Sequence, residues 1–269
     1  MTMLLSIENV NKAFGRGTIH ENRVLRDFNL VLNTGDFVSV IGSNGTGKTT
    51  LMNCIAGSYG VDTGEIRLGD MVLNKQPARR RAKYIGRVFQ NPSTGTASDL
   101  TIAENMAIAW RRGERSGLGR SVDAGLRAMF KERLEFLGLG LEDRLDVPVR
   151  YLSGGQRQAL SLLMATLRRP KLLLLDEHTA SLDPNTSLQV MELTDRLVRE
   201  YRQTTLMITH NMQNAIQYGN RLIMLHEGHV VADVSGAEKE GLTVPLLVEM
   251  FRRQANGDLP LSDKVVLTA

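Results

Sequence analysis

The chain has 269 residues, enough for one substantial domain with a smaller one inserted; with 42% apolar but only 5% aromatic residues, its core must rest on Leu, Ile, Val and Met. A formal charge of +4 is mildly basic, which suits a solvated surface as well as an anionic partner. No stretch reaches the ~20 apolar residues of a membrane span, no secretion signal opens the sequence, and the single cysteine, Cys54, excludes an internal disulfide, so a soluble cytoplasmic chain is expected.

Residues 4–41 alternate and then run apolar: Ser6-Ile7-Glu8-Asn9-Val10 predicts a half-buried strand and Phe37–Ile41 a fully buried one. Thr49–Ala56 predicts a helix ending near Gly57, with Cys54 packed among Leu51, Met52 and Ile55. Gly64–Leu68 and Met71–Leu73 predict a hairpin around Gly69-Asp70. From about 92 to 150 the strand pattern gives way to helical periodicity, with Leu126, Met129, Phe130, Leu134 and Leu137 at spacings of three and four. From Lys171 strand and helix alternate again, as Leu172–Leu175, Leu188–Tyr201, Thr205–Thr209, Met212–Gln217 and Leu222–Leu225, which predicts a largely parallel sheet covered by helices. Leu246, Leu247, Met250 and Phe251 suggest one more small helix, and residues from about 255 suggest a loose tail.

Gly42-Ser43-Asn44-Gly45-Thr46-Gly47-Lys48-Thr49 has the spacing of a P-loop and its setting, a buried strand before it and a helix after it. Glycines let backbone N–H groups turn inward around phosphates, and the following helix N-terminus adds positive partial charge. Lys48 is placed to reach the β- and γ-phosphates, and the Thr49 hydroxyl, with Thr50 beside it, to serve a Mg²⁺–ATP complex. Asp176 ends an apolar strand, where a carboxylate can make the second Mg²⁺ contact, and Glu177 follows it directly. Ser153-Gly154-Gly155-Gln156 precedes the apolar stretch Ala159–Leu167 and offers a second anion site at a helix N-terminus.

The order of these motifs, with Gln90 before the helical region and His210 at the end of the Thr205–Thr209 strand, resembles the ATPase subunit of ATP-binding cassette (ABC) systems from about Leu5 to about Ser235. The resemblance implies an α/β P-loop NTPase core at 4–91 and 157–235, mostly parallel sheet with an antiparallel N-terminal region, a helical subdomain at about 92–156, and a C-terminal helix and tail at 236–269. It implies that Phe14 stacks on adenine, Gln90 senses Mg²⁺ and water, Glu177 is the general base and His210 contacts the γ-phosphate. It further implies that the signature Leu152–Gln156 closes on ATP held by a second copy or a paired cassette in a head-to-tail dimer, with Ser181 and Asp183 in the loop between the two sites. His178 departs from the family pattern, which places proline after the glutamate; it either adds a titratable donor near the γ-phosphate or simply occupies the turn.

One cassette without coiled coil or cysteine clusters speaks against nucleic-acid work. The resemblance implies an integral membrane permease as partner, a peripheral place on the cytoplasmic face of the membrane, and a bacterial importer supplied indirectly by a solute-binding lipoprotein. The variant pattern around His178 is similar to a subgroup paired with a branched-chain-amino-acid-type permease, with an amino acid as expected cargo. A soluble non-transport ATPase, as in iron–sulfur assembly, and an exporter subunit are the alternatives. The arginines at 79–81, 111, 112, 115 and 120 suggest a surface near lipid headgroups or acidic permease loops.

Overall fold

Two long strands, β1 (Met3–Phe14) and β2 (Asn22–Asn33), open the chain and lead into the buried strand β3 (Phe37–Gly42) and helix α1 (Lys48–Ala56). A hairpin of β4 (Thr63–Leu68) and β5 (Met71–Val72), a short α2 (Ala78–Arg81) and β6 (Ile85–Val88) follow. Helices α3 (Ile102–Trp110), α4 (Ala124–Glu135) and α5 (Gly154–Thr166) precede β7 (Leu172–Asp176) and α6 (Pro184–Tyr201). The chain continues through β8 (Thr205–Ile208), α7 (Met212–Gln217), β9 (Arg221–His226), β10 (His229–Ser235), α8 (Gly236–Glu240) and α9 (Val244–Gln254). These elements come from a computed structural model that describes residues 2–114 and 122–254. Arg115, Arg120 and the expected tail from 255 lie outside the described residues.

The described residues form two compact units, one of 2–81 with 203–254 and one within 82–202. In the first, β2-β1-β4-β5 make an antiparallel sheet in which Leu5 and Ile7 face Leu32 and Leu30 on one side and Leu68 and Ile66 on the other, all buried. This is the alternation that one covered sheet face demands. In the same unit β3 lies parallel between β8 and β9, and β10 adds antiparallel to β9. Flanked on both edges, β3 buries every residue from Phe37 to Gly42, as its unbroken apolar run predicts. Helix α9 buries Leu247 and Phe251, one i,i+4 pair, against Ile41, Met212, Leu222, Met224 and Val234. Leu246, expected on that face, is turned about a hundred degrees away and is half exposed.

In the second unit β6 and β7 pair in parallel, Ile85 with Leu172 through Val88 with Leu175. Helix α5 is buried along nearly its whole length, and α6 buries one stripe, Val190, Met191, Leu193, Thr194, Leu197 and Val198. Between β6 and α5 the described residues include helices α3 and α4, with a Thr101/Glu104 capping box opening α3 and Asp123 capping α4. Strands β6 and β10 have no counterpart in the sequence reading: β6 is only four residues long, and β10 has a weak apolar alternation suited to an edge. No helix among the described residues is long and apolar enough to cross a membrane.

Candidate nucleotide site

In the first unit the phosphate loop emerges from the carboxyl end of β3 and turns directly into α1. Gly47 sits at φ +99, and a Cβ there would come 2.7 Å from the Val24 carbonyl oxygen, so both the backbone conformation and the space require glycine. Gly47 is the N-cap of α1; no side chain caps the helix and its first turn holds no acidic residue. The helix therefore begins without a side-chain cap and presents its positive dipole end, an arrangement that fits the terminal phosphates of a nucleotide. Lys48 is 5% exposed and its Nζ donates to the carbonyl oxygens of Gly42 at 2.6 Å and Ser43 at 2.7 Å, folding the ammonium over the loop. The Thr46 hydroxyl donates to Ser43 O at 2.9 Å and braces the same turn, which spans Asn44 and Gly45; Thr49 and Thr50 lie in the first turn of α1.

The opposite end of α1 is held by Arg81, whose Nη1 donates to the carbonyls of Cys54 at 2.6 Å and Ile55 at 3.0 Å. Burial lowers the Arg81 pKa, and it pushes the Cys54 thiol up to about 11. Arg81 is thus a buried helix cap rather than part of a basic surface patch. Phe14 ends β1 and is 38% exposed, with Tyr59 edge-on at 5.4 Å and the Lys12 ammonium 5.2 Å from its ring centre. Asp62 fixes this strand end by accepting from Ala13 N at 2.6 Å and pairing with Lys12 at 3.5 Å. His210 follows Thr209, the residue just after β8, whose N–H bonds Val40 O on β3 at 3.2 Å. Asn211, next in sequence, caps α7.

In the second unit β7 delivers Asp176, 7% exposed, at its carboxyl end. A carboxylate oxygen of Asp176 accepts from Arg87 Nη2 at 2.8 Å. The Asp176 carboxylate is a hard oxygen donor of the kind that Mg²⁺ takes as a ligand. Glu177 is half-buried in a left-handed conformation, φ +48, and its carbonyl closes a turn by accepting from Ala180 N at 3.0 Å. His178 is 1% exposed. The Thr194 hydroxyl donates to Val190 O at 2.7 Å, so its oxygen is left to accept from His178 Nε2–H at 3.0 Å, which puts a proton on Nε2. Burial pushes the His178 pKa down to about 4. Of the two readings of His178, the structure supports the residue that fills the turn.

Gln90 is exposed, and its carbonyl accepts from the Ser181 hydroxyl at 3.1 Å. One residue earlier, Phe89 O accepts from Gln158 Nε2 at 3.1 Å, and the Phe89 ring lies 4.7 Å from the Arg87 guanidinium. Ser153 and Gln156 form a reciprocal capping box on α5, each side chain bonding the other's backbone at 3.2 Å. Gly154 has room beside it, but a Cβ on Gly155 would fall 2.3 Å from Thr186 Cγ2 on α6. Asp183 caps α6 through Thr186 N at 3.1 Å. Gln90 and Ser181 are therefore brought together, Asp176 and Glu177 share one strand end, and Ser153 lies on the helix that reaches Phe89.

Sequence reasoning did not single out Arg87, Gln158, Tyr59 or Asp62. Arg87 carried the clearest signal, a lone cation inside the apolar run Ile85–Val88, where a charge survives only with a partner.

The ABC transporter family profile matches residues 25–180. Over 248 residues the chain is 46% identical to a tyrosine transport ATP-binding protein of Clostridioides difficile (strain R20291), covering 92% of this chain and 98% of that one. It is 30% identical to the phosphonates import ATP-binding protein PhnC of Lactococcus lactis subsp. lactis (strain IL1403), covering 94% of this chain and all of that one. Among solved structures, the dimeric post-hydrolysis state of the ATP-binding cassette MJ0796 bound to ADP and Pi superposes with a TM-score of 0.74 at 28% identity, covering 86% and 98% of the two chains.

Proposed function

This chain belongs to the ABC transporter family, as an ATPase that hydrolyses ATP to power import of a small solute, and on that premise we propose that its cargo is an amino acid, tyrosine first among those to test. The cargo reading rests on the tyrosine transport relative, which matches at 46% over nearly the full length of both chains, against 30% for the phosphonates importer. Both relatives are transport proteins by name, which favours neither an assembly-scaffold ATPase nor an exporter.

The geometry that carries the nucleotide reading is the uncapped N-terminus of α1 with Lys48 folded over its loop. In our reading the loop 42–47 with Lys48, Thr49 and Thr50 binds the phosphates, and the exposed Phe14 ring stacks on the base. Thr49, Asp176 and Gln90 serve Mg²⁺, Glu177 polarises the attacking water and His210 contacts the γ-phosphate. When bound, Mg²⁺ neutralises phosphate charge. Ser153 accepts from Gln156 N and so keeps its hydroxyl proton to donate to ATP held by a second copy, with Gly154, Gly155 and Gln156 completing that surface. Residues 4–235 form the cassette, with 92–156 as its helical subdomain. The cassette works as a head-to-tail dimer on a branched-chain-amino-acid-type permease at the cytoplasmic face of the membrane, supplied by a solute-binding lipoprotein.

Labelled tyrosine uptake in cells lacking the chain tests the cargo. Uptake should be lost, return with the wild type and stay lost with Glu177→Gln. Undiminished uptake in cells lacking the chain would overturn tyrosine as cargo.

A further inference from the structure

We infer that Arg87 is a positioning residue: it pairs with Asp176 and yields that carboxylate when Mg²⁺ binds, which ties metal occupancy to the Phe89–Gln90 segment. The inference rests on the reading of Asp176 as a Mg²⁺ contact. Strand register explains the pairing. Arg87 lies opposite Leu174 in the parallel β6–β7 ladder, and Asp176 is two residues further along β7, on the same sheet face. The guanidinium therefore extends along the strand to reach Asp176 at 2.8 Å, with side chains only 12% and 9% exposed.

A carboxylate this deeply buried requires a cation, and Arg87 supplies one. A magnesium ion at Asp176 would bring two further positive charges close to the guanidinium, in surroundings that screen them poorly. The guanidinium already has a second resting place, the face of Phe89, at 4.7 Å. Phe89 and Gln90 are the residues whose carbonyls are held by Gln158 of α5 and by Ser181. A shift of Arg87 from Asp176 toward Phe89 thus acts on a segment tethered to both the signature helix and the loop after Glu177.

Mg²⁺ titration of the full-length chain with a fluorescent ADP analogue bound tests this without turnover. Arg87→Met removes the competing cation and should tighten Mg²⁺ binding about tenfold. Arg87→Gln, which keeps a donor to Asp176 without the charge, should shift it in the same direction, and Arg87→Lys should stay near wild type. Melting of Arg87→Met should be lowered without Mg²⁺ and restored by it. Unchanged or weaker Mg²⁺ binding in both neutral variants would overturn the inference. Asp176→Asn separates the two claims: wild-type Mg²⁺ affinity there would remove the metal assignment itself.

Discussion

Glu177 keeps a left-handed backbone at φ +48 and a half-exposed side chain, while its neighbour His178 is 1% exposed and hydrogen-bonded to Thr194. A non-glycine residue in that conformation costs on the order of 1–3 kcal/mol, and such outliers gather where a side chain must be aimed. His178 gives a pH prediction with a definite sign. Its pKa is about 4 in the folded chain against an ordinary 6.5. As pH falls below 6.5 the unfolded chain takes up a proton that the folded chain refuses. Stability is therefore full above 6.5, falls as pH drops toward 4 and levels off below, a loss of about 3 kcal/mol. His178→Gln, which can still donate to Thr194 without titrating, should flatten that fall in urea unfolding measured at pH 7 and pH 4.5. An identical pH slope in the variant would contradict it. The sequence placed His178 in the turn but could not decide its role, because burial depends on α6 packing over it from sixteen residues away.

At the scale of elements, α5 shows how two demands fall on one motif. The sequence presents Gly154-Gly155 as part of an anion site. The structure adds that Gly155 is where α6 approaches, with Thr186 Cγ2 2.3 Å from where a Cβ would stand. Gly155→Ala should destabilise the chain by about 1–3 kcal/mol through overpacking. In a Thr186→Ser background, which removes that methyl, the same change should be neutral or slightly stabilising. Chemical denaturation of the two singles and the double measures the coupling, and additive effects would refute the contact. Strands β3 and β7 and helices α1, α6 and α7 were legible because their periodicity or unbroken apolar runs are local signals. Strands β6 and β10 were not, since each takes its strand identity from a neighbouring strand rather than from its own pattern. Arg87 was missed for the same reason, its partner being 89 residues away.

For the whole molecule, the order of short motifs carried more than any one of them. The P-loop shows its chemistry locally, through glycines, an uncapped helix and a lysine. The roles given to Ser153 and Ser181 depend instead on a second copy of the chain, which no local pattern reveals. The proposed cycle requires ATP to join two cassettes and hydrolysis to release them, so blocking hydrolysis should trap the joined state. The most direct test is light scattering of the Glu177→Gln chain with and without ATP and Mg²⁺. The account predicts a doubling of mass with nucleotide, reversed by adding Ser153→Arg. A chain that stays monomeric with ATP, or a dimer indifferent to both nucleotide and Ser153, would contradict it.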